Sequence, residues 1–396
     1  MRIPVIPLLV LTLICVATDA YIYVAALKRC SSKVPSRVQL WSAIALYVGL
    51  VVTLCLPRRS GSDATLHTIM WALFSFLSIY CSKLIFIIFD LLAKLPQIFG
   101  SHRLKWLSFT GGCLSVVTFL AVWWGALINR FNIQVNEVDI EVPDLSLGFE
   151  GYKIAQFSDL HTGTFGSDTT FVSHLVDKIN SLNPDLITFT GDIVNRHTDE
   201  ILPHISTLSR LEAPDGVVSI LGNHDYGDYS DWDSPEEKRA NLQKLIDIQN
   251  QIGWNLLLNE SIVLYNNGDS IAVIGVENVG DPPFTVYGSL KDSYKNVNDS
   301  VAKILLTHNP AHWLQEIADR TDNNIALTLS GHTHAMQIEI FGISPAVFRY
   351  KTWGGLYKDS KGSHPLYVNI GSGTVGLPMR VGATPEITVF TLHRAK

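Results

Sequence analysis

Side chains of Asp, Asn and His stand directly after five strand-like apolar runs in the second half of this 396-residue chain. They occur in the segments SDLH, TGDIV, LGNHDY, LTHNP and SGHTH, and they are Asp159, His161, Asp192, Asn223, His224, Asp225, His308, His332 and His334. Because ligands of α/β proteins bind beyond the carboxyl ends of strands, we expect these side chains to meet. Residues at i and i+2 of an extended chain share a face, so the Asp-x-His and His-x-His pairs can each converge on one point.

This set of donor atoms is typical of a metal centre. Oxygen ligands mixed with imidazoles, and no thiolate, suit Mn, Fe, Zn or Mg. All five cysteines lie at or before Cys113, so this half of the chain has no cysteine ligand or nucleophile. Taken singly, a Gly-Asp is typical of a turn, and a strand-end His is typical of a hydrogen-bonded structural residue. Five such groups together exceed what one tetrahedral ion requires, and we expect two metal ions.

The motifs resemble those of the calcineurin-like metallophosphoesterases, in particular the group with a membrane-spanning N-terminal region and one phosphoesterase domain. The resemblance rests on the segments DLH, GDIVN, GNHDY, THNP and GHTH and extends over about residues 150–396, including the C-terminal tail. It implies a metal-dependent phosphoric ester hydrolase. The implied fold is a four-layer α/β/β/α sandwich with a dinuclear metal centre at one end.

The resemblance also implies roles for single residues. The expected ligands are Asp159, His161 and His334 for the first metal, Asn223, His308 and His332 for the second, and Asp192 as a bridge between both. His224 is expected beside the leaving-group oxygen, oriented by Asp225. The chain departs from the family pattern at Ala335-Met336, where two glycines are common, and at Asn195, where an acid is common. These departures bear on the shape of the loop and on metal affinity.

The implied chemistry agrees with the residue types. Two cations a few Å apart lower the pKa of a shared water and clamp the phosphoryl oxygens, so a bridging hydroxide attacks phosphorus in line. His224 then supplies a proton or a positive charge to the departing oxygen. The metals, expected to be Mn, Fe or Zn, also neutralise acidic surroundings that would otherwise repel a phosphate.

Three regions are expected along the chain. From residue 151 to 396, short apolar strands alternate with helical segments, which predicts an α/β domain. Residues 131–150 are expected to be a strand-forming lead-in, and residues 1–130 a transmembrane region. Four apolar runs, at about 3–27, 38–56, 66–95 and 106–128, each reach or exceed the ~20 residues that cross a bilayer. The first run ends in LKRC rather than in a cleavage site, which favours a retained helix over a signal peptide.

Basic residues predict the orientation in the membrane. The loops after the first and third spans carry seven Lys and Arg, against four near the other span ends. The positive-inside rule therefore puts those loops in the cytoplasm and the catalytic domain outside it, in a multi-pass protein of the plasma or inner membrane. Asp19, Lys83 and Asp90 lie within the spans and are interpreted as interhelical pairs, with a proton or ion pathway as the alternative.

Charge limits the partners. The first 130 residues hold 12 Lys and Arg against three Asp, whereas the whole chain has a net charge of −6, so the remainder carries −15. An acidic half disfavours a nucleic-acid partner, which normally needs a basic face. In the segment FRYKTWGGLYKDSKG, Arg349 and Lys351 are candidate substrate-binding residues that could hold a second phosphate or lie against lipid headgroups. A solvated basic loop is the alternative.

Three functions are compatible with these observations. The leading hypothesis is a membrane-anchored phosphodiesterase or pyrophosphatase acting on a phosphoester substrate, favoured to be lipid-linked because a four-span anchor suits a substrate in the bilayer. The alternative within the same class is a phosphomonoesterase or nucleotidase. A membrane transport or signalling protein with a regulatory metal domain is disfavoured, because the predicted ligand set is complete.

Overall fold

The computed structural model describes residues 5–28, 31–143, 145–282, 284–295, 297–298, 300–320 and 324–395. The chain forms two compact units, one of Met1–Leu127 with Gly376–Met379 and one of Ile128–Val375 with Arg380–Lys396. The first is called the membrane unit and the second the globular unit.

The membrane unit consists of long apolar helices. They are α1 (Val5–Ile22, continued by a π-helical turn Tyr23–Leu27), α2 (Val34–Cys55), α3 (Asp63–Ile98) and α4 (Lys105–Leu127). In the part of the chain that the structure describes, four helices are therefore long and apolar enough to cross a membrane, which confirms the predicted four-helix region. At about 1.5 Å per residue, the 36 residues of α3 exceed the ~30 Å thickness of a bilayer core.

Two acids within these helices, Asp19 and Asp90, are paired with basic residues. Asp19 on α1 accepts hydrogen bonds from the Tyr80 hydroxyl and the Lys83 Nζ on α3, both at 2.7 Å. Asp90 on α3 is fully buried and contacts the Lys94 Nζ at 2.9 Å and Arg103. These contacts agree with the interpretation of the three intramembrane charges as packing pairs, with Lys83 paired with Asp19.

The globular unit contains two six-stranded sheets. In chain order, the strands are β1 Gln134–Val142, β2 Lys153–Phe157, β3 Leu186–Phe189, β4 Val217–Ser219, β5 Trp254–Leu256, β6 Glu260–Asn266, β7 Asp269–Val276, β8 Lys303–Thr307, β9 Ile325–Ser330, β10 Gly355–Tyr357, β11 Leu366–Val368 and β12 Glu386–Arg394. The first sheet has the order β1-β12-β2-β3-β4-β5 and the second β10-β11-β9-β8-β7-β6. Strands β2, β3 and β4 are parallel, as are β7, β8 and β9, so their carboxyl ends lie along one edge of each sheet.

The predicted lead-in, residues 131–150, contributes a strand to the first sheet. Strand β1 pairs in parallel with β12 from Gln134 opposite Glu386 to Val142 opposite Arg394. Strand β12 in turn pairs antiparallel with β2, so the last strand of the chain is inserted between the first two.

The helices of the globular unit are α5 (Thr170–Ser181), α6 (Ile205–Leu208), α7 (Pro235–Gln251) and α8 (Leu290–Ser293). Helix α7 begins after Ser234, whose hydroxyl accepts from the Glu237 N–H at 3.1 Å and so satisfies one of the free amide groups of its first turn. Pro235 at the first helical position suits the start because its missing N–H would be unpaired there.

Alternating side chains of the strands pack into separate cores. Ile154 of β2 packs with Val273 and Leu327 of the second sheet, whereas its neighbour Ala155 packs with Leu175 of α5 on the opposite face. The outer face of the second sheet packs on the helical turn Trp313–Ile317. Helices, sheet, sheet and short helical segments therefore follow one another as expected of an α/β/β/α sandwich.

Candidate metal centre

The side chains singled out in the sequence lie at the carboxyl ends of five strands. Asp159 and His161 follow β2, Asp192 follows β3, the Asn-His-Asp segment follows β4, His308 follows β8, and His332 and His334 follow β9. Because β2, β3 and β4 are neighbours in one sheet and β8 and β9 in the sheet packed against it, these ends meet. Most of these side chains are almost completely buried.

Five of the predicted ligands have a left-handed backbone. The φ values are 51° for Asp159, 49° for His161, 62° for Asp192, 77° for His332 and 51° for His334. This conformation costs non-glycine residues on the order of 1–2 kcal/mol each and is concentrated at functional sites. The backbone here is thus arranged for the placement of side chains rather than for its own lowest energy.

Glycines before three of the motifs allow close packing around the carboxylates. A Cβ on Gly222 would lie 2.2 Å from Oδ1 of Asp192, and one on Gly331 would lie 2.2 Å from Oδ2 of Asp159. Gly191 has a φ of 92°, and a Cβ there would lie 2.4 Å from the Gly222 nitrogen. Any larger residue at these three positions would therefore displace a site carboxylate or the adjoining loop.

The first predicted ligand group is brought together around Asp159. Its Oδ1 lies 3.2 Å from Nε2 of His334, and Nε2 of His161 lies 3.1 Å from the same His334 nitrogen. The nearest ligand atoms of the three side chains all lie within 4.8 Å of one another.

The second predicted group surrounds His308. Its Nε2 lies 3.2 Å from Oδ2 of Asp192, 3.1 Å from Oδ1 of Asn223 and 3.3 Å from Nδ1 of His332. Oδ2 of Asp192 also lies 3.7 Å from Nε2 of His161, so this carboxylate adjoins both groups. That is the position required of a bridging ligand.

The chemistry of these atoms fits metal ions. Ring nitrogens and carboxylate oxygens point at a shared space, and the buried Nδ1 of His161 has no hydrogen-bond partner among the described residues. Burial lowers the pKa of His161 well below its usual value and, together with the neighbouring His308, lowers the pKa of His332 to about 3. Both rings are therefore neutral, which is the form that binds a metal.

The two carboxylates remain ionised. Burial by itself would raise the pKa of Asp159, but the adjacent His334 and His308 outweigh it and lower the pKa overall. Burial would also raise the pKa of Asp192, but the adjacent His308 and His224 outweigh it and lower that pKa overall. The cluster thus offers two anionic ligands to bound cations.

His224 lies at the side of this cluster, partly accessible. Its ring stacks on Tyr229 with centroids 4.0 Å apart and stands 4.8 Å from the His161 ring, edge to face. Its Nδ1 lies 2.6 Å from the carbonyl oxygen of Asn195, so the Nδ1–H donates there and Nε2 remains available. A ligand atom of His224 also lies within 4.8 Å of those of His161 and Asp192.

Asp225 does not perform the task expected from the sequence. Its carboxylate accepts the backbone N–H groups of Gly222 at 2.8 Å and of Asp192 and Ile193 at 2.9 Å. The expectation that Asp225 orients the His224 ring is therefore wrong. The carbonyl of Asn195 holds that ring, and Asp225 fixes the β3 and β4 loops relative to each other.

Arg380 is a site residue that the sequence analysis missed. Its side chain is fully buried, and its Nη2 lies 3.2 Å from Nδ1 of His334 and donates to the Ile370 carbonyl at 3.0 Å. Its Nε donates to the Gly373 carbonyl at 2.7 Å. An arginine in the otherwise apolar segment GLPMRVG of the tail is the signal that could have identified it.

The candidate substrate-binding loop reaches the cluster through Tyr350. Tyr350 places its hydroxyl 3.4 Å from Nε2 of His332, and Phe284 stands edge-on to the same ring at 4.7 Å. Arg349 beside it is paired with Asp281 at 2.6 Å, and Lys351 is exposed. Two aromatic side chains thus adjoin His332, and the role of Arg349 and Lys351 in substrate binding stays a prediction.

The protein has two packed mixed sheets, and Asp, Asn and His side chains meet at the ends of their strands. This combination of fold and site is that of a metal-dependent phosphoester hydrolase. A family profile described as calcineurin-like phosphoesterase matches residues 152–336. A second, described as probable calcineurin-like phosphoesterase, transmembrane domain, matches residues 1–130.

Relatives that are similar in sequence are described as metallophosphoesterases. The uncharacterized metallophosphoesterase YkuE of Bacillus subtilis is 32% identical over 66% of this chain and 85% of its own length. A zebrafish (Danio rerio) transmembrane protein with metallophosphoesterase domain is 27% identical over 93% of this chain and 83% of its own. Among solved structures, a phosphopantetheinyl hydrolase of Mycobacterium tuberculosis matches 59% of this chain and 92% of its own at 16% identity, with a TM-score of 0.34. The chain belongs to the calcineurin-like phosphoesterase family and is a membrane protein.

Proposed function

We propose that the chain is a membrane-anchored phosphodiesterase that works with two divalent cations, on a substrate carried by a lipid. The position of Asp192 between the His161 and His308 groups is the observation that carries the two-metal proposal. Asp159, His161 and His334 would hold one cation and Asn223, His308 and His332 the other, with Asp192 shared between them. When bound, the cations supply an activated water and positive charge for the phosphoryl oxygens.

His224 is proposed to serve the leaving group. The Asn195 carbonyl takes up its Nδ1–H, and the stack on Tyr229 limits rotation of the ring, so Nε2 stays directed away from both. A protonated Nε2 can then give its proton to the departing oxygen. Asp225 supports this geometry indirectly, because it fixes the loop from which His224 projects.

The charges around the cluster favour a diester over a monoester. A monoester carries a second negative charge on the same phosphorus group and needs more cationic partners. Of the arginines described near the cluster, Arg380 is engaged with buried carbonyls, Arg349 is paired with Asp281 and Arg196 is paired with Glu200. Tyr229, Phe284 and Tyr350 instead provide aromatic surface for the second substituent of a diester or for a pyrophosphate ester.

The test is a substrate comparison with full-length protein in detergent, loaded in turn with Mn, Fe and Zn. We expect bis-p-nitrophenyl phosphate to be hydrolysed with a higher kcat/KM than p-nitrophenyl phosphate, and a lipid pyrophosphate or phospholipid diester to exceed both. Asp192→Asn is the inactive control. The reverse preference would identify a phosphomonoesterase or nucleotidase, and no turnover with any metal would favour a regulatory metal domain.

The catalytic domain is proposed to lie outside the cytoplasm, as the distribution of basic residues around the spans indicates. Lys361 is exposed on a loop of the globular unit, where all native cysteines are absent. Lys361→Cys, in a background in which the native cysteines are serines, should react with a membrane-impermeant maleimide in intact cells. Labelling only after permeabilisation would contradict this orientation.

A further inference from the structure

The membrane unit contains a cavity between α1 and α2 that no catalytic residue enters. Its volume is about 780 Å³, within the range of about 300–1,000 Å³ that is usual for ligand pockets. Val16 and Ala20 of α1 and Leu40 and Ile44 of α2 line its walls. These walls suit a hydrocarbon chain rather than a soluble polar ligand.

The mouth of this cavity is cationic. Lys28, Lys33 and Arg37 line it together with the hydroxyls of Ser32 and Ser36. All three cationic side chains are exposed, and within the described part of the chain none of them forms an ion pair. Three positive charges and two hydroxyl donors thus surround an opening that leads to an apolar interior.

The acid within the cavity does not offset these charges. Asp19 lines the cavity, but its carboxylate is already bound by the Lys83 Nζ and the Tyr80 hydroxyl. The Gln39 Nε2 donates to the same carboxylate at 3.3 Å. The charge that remains available to a ligand is therefore positive, and it lies only at the mouth of the cavity.

We propose that this cavity binds one anionic glycerophospholipid from the surrounding bilayer. Its headgroup phosphate lies among Lys28, Lys33 and Arg37, and an acyl chain follows the wall past Ala43 to Tyr47. A neutral lipid would leave the three cations without a counterion, and a soluble anion would leave the apolar walls exposed. The site is formed by the membrane unit alone and is independent of the reaction proposed for the globular unit.

The test measures which lipids stay bound. Full-length protein is reconstituted in nanodiscs of equal parts phosphatidylglycerol and phosphatidylcholine, released, and examined by native mass spectrometry. We expect one phosphatidylglycerol to be retained in preference to phosphatidylcholine. Lys33→Gln should lower that preference about fivefold, and the triple variant Lys28→Gln, Lys33→Gln, Arg37→Gln at least tenfold.

Two further variants separate the site from general charge. Ala43 is buried in the cavity wall, so Ala43→Trp should fill the space and release the lipid although the cations remain. Lys105→Gln removes an exposed cation at the start of α4 and should leave the preference unchanged. Gel filtration and circular dichroism establish that each variant is folded.

Any one of three lipid-retention results would overturn the proposal. They are equal retention of the two lipids by the unaltered protein, an unchanged preference in the triple variant, and an effect of Lys105→Gln as large as that of Lys33→Gln. Displacement of the bound lipid by inorganic phosphate would also overturn it, because the site would then recognise a soluble anion.

Discussion

Nη2 of the Arg380 guanidinium lies 3.2 Å from Nδ1 of His334, and the backbone carbonyls of Ile370, Gly373 and Ala383 accept hydrogen bonds from the same group. This arrangement ties the C-terminal tail to a predicted metal ligand. Burial lowers the pKa of Arg380 to about 10, so the group remains charged at neutral pH. Its planar set of donors cannot be reproduced by an ammonium.

Arg380→Lys should therefore weaken both the fold and the metal site. We expect a loss of about 2–4 kcal/mol in the free energy of unfolding, because buried carbonyls lose their donors. We also expect about a 10–100-fold loss in metal affinity, because Arg380 holds the Gly373 carbonyl and the N–H of Gly373 donates to the carbonyl of Asp159, a predicted ligand. Thermal unfolding with and without metal, and metal titration, measure the two effects. Arg239→Lys on the surface of α7 is the control, and equal effects of the two substitutions would contradict the assignment.

Asp192 should be needed for metal binding and activity, whereas Asp225 should be needed for stability. Asp192→Asn keeps an oxygen for the His224 N–H but removes the shared negative charge, so metal content and activity should fall while the metal-free protein stays folded. Asp225→Asn replaces an acceptor of several backbone N–H groups and should cost about 1–3 kcal/mol of stability. Elemental analysis and denaturant unfolding distinguish the two. Normal turnover by Asp192→Asn would refute the two-metal proposal.

The ligand cluster could be predicted from the sequence because its signals are local. Each ligand follows an apolar run, and parallel strands necessarily bring their carboxyl ends to one edge. The four membrane helices were predictable for a similar reason, since length and composition alone identify them.

The errors concern contacts that depend on the path of the chain. Asp225 adjoins His224 in sequence, but the turn directs its oxygens to the backbone of another loop 32 residues away. Arg380 meets His334 across 46 residues, and the pairing of β1 with β12 joins the two ends of the globular unit. Periodicity and motif spacing contain no information on such pairings.

His224→Ala should retain both metals and lose turnover, to an extent set by the leaving group. Removal of a general acid typically costs about 10²–10⁴-fold in rate. Nitrophenolate departs without a proton, so the loss should be small with bis-p-nitrophenyl phosphate and large with a dialkyl phosphate. His174→Ala, on the exposed surface of α5, is the control. If His224→Ala loses metal instead, His224 is a ligand, as its position beside His161 and Asp192 would permit.

Metal binding should strengthen as the pH rises towards 9. Burial opposes protonation of His308, but the ionised Asp192 and Asp159 outweigh it and raise the pKa of His308 to about 9. In the metal-free protein at pH 7 this ring therefore carries an extra proton, which a metal must displace. Each unit of lower pH should cost about tenfold in apparent affinity below pH 9, and the contribution of His308 should vanish above it.

Calorimetry in two buffers of different ionisation enthalpy should detect the release of at least one proton per protein at pH 7. His393→Gln, which alters a partly exposed histidine paired with Glu150 and outside the cluster, should release the same number. An affinity that does not change between pH 6 and 8 would show that His308 is not a ligand.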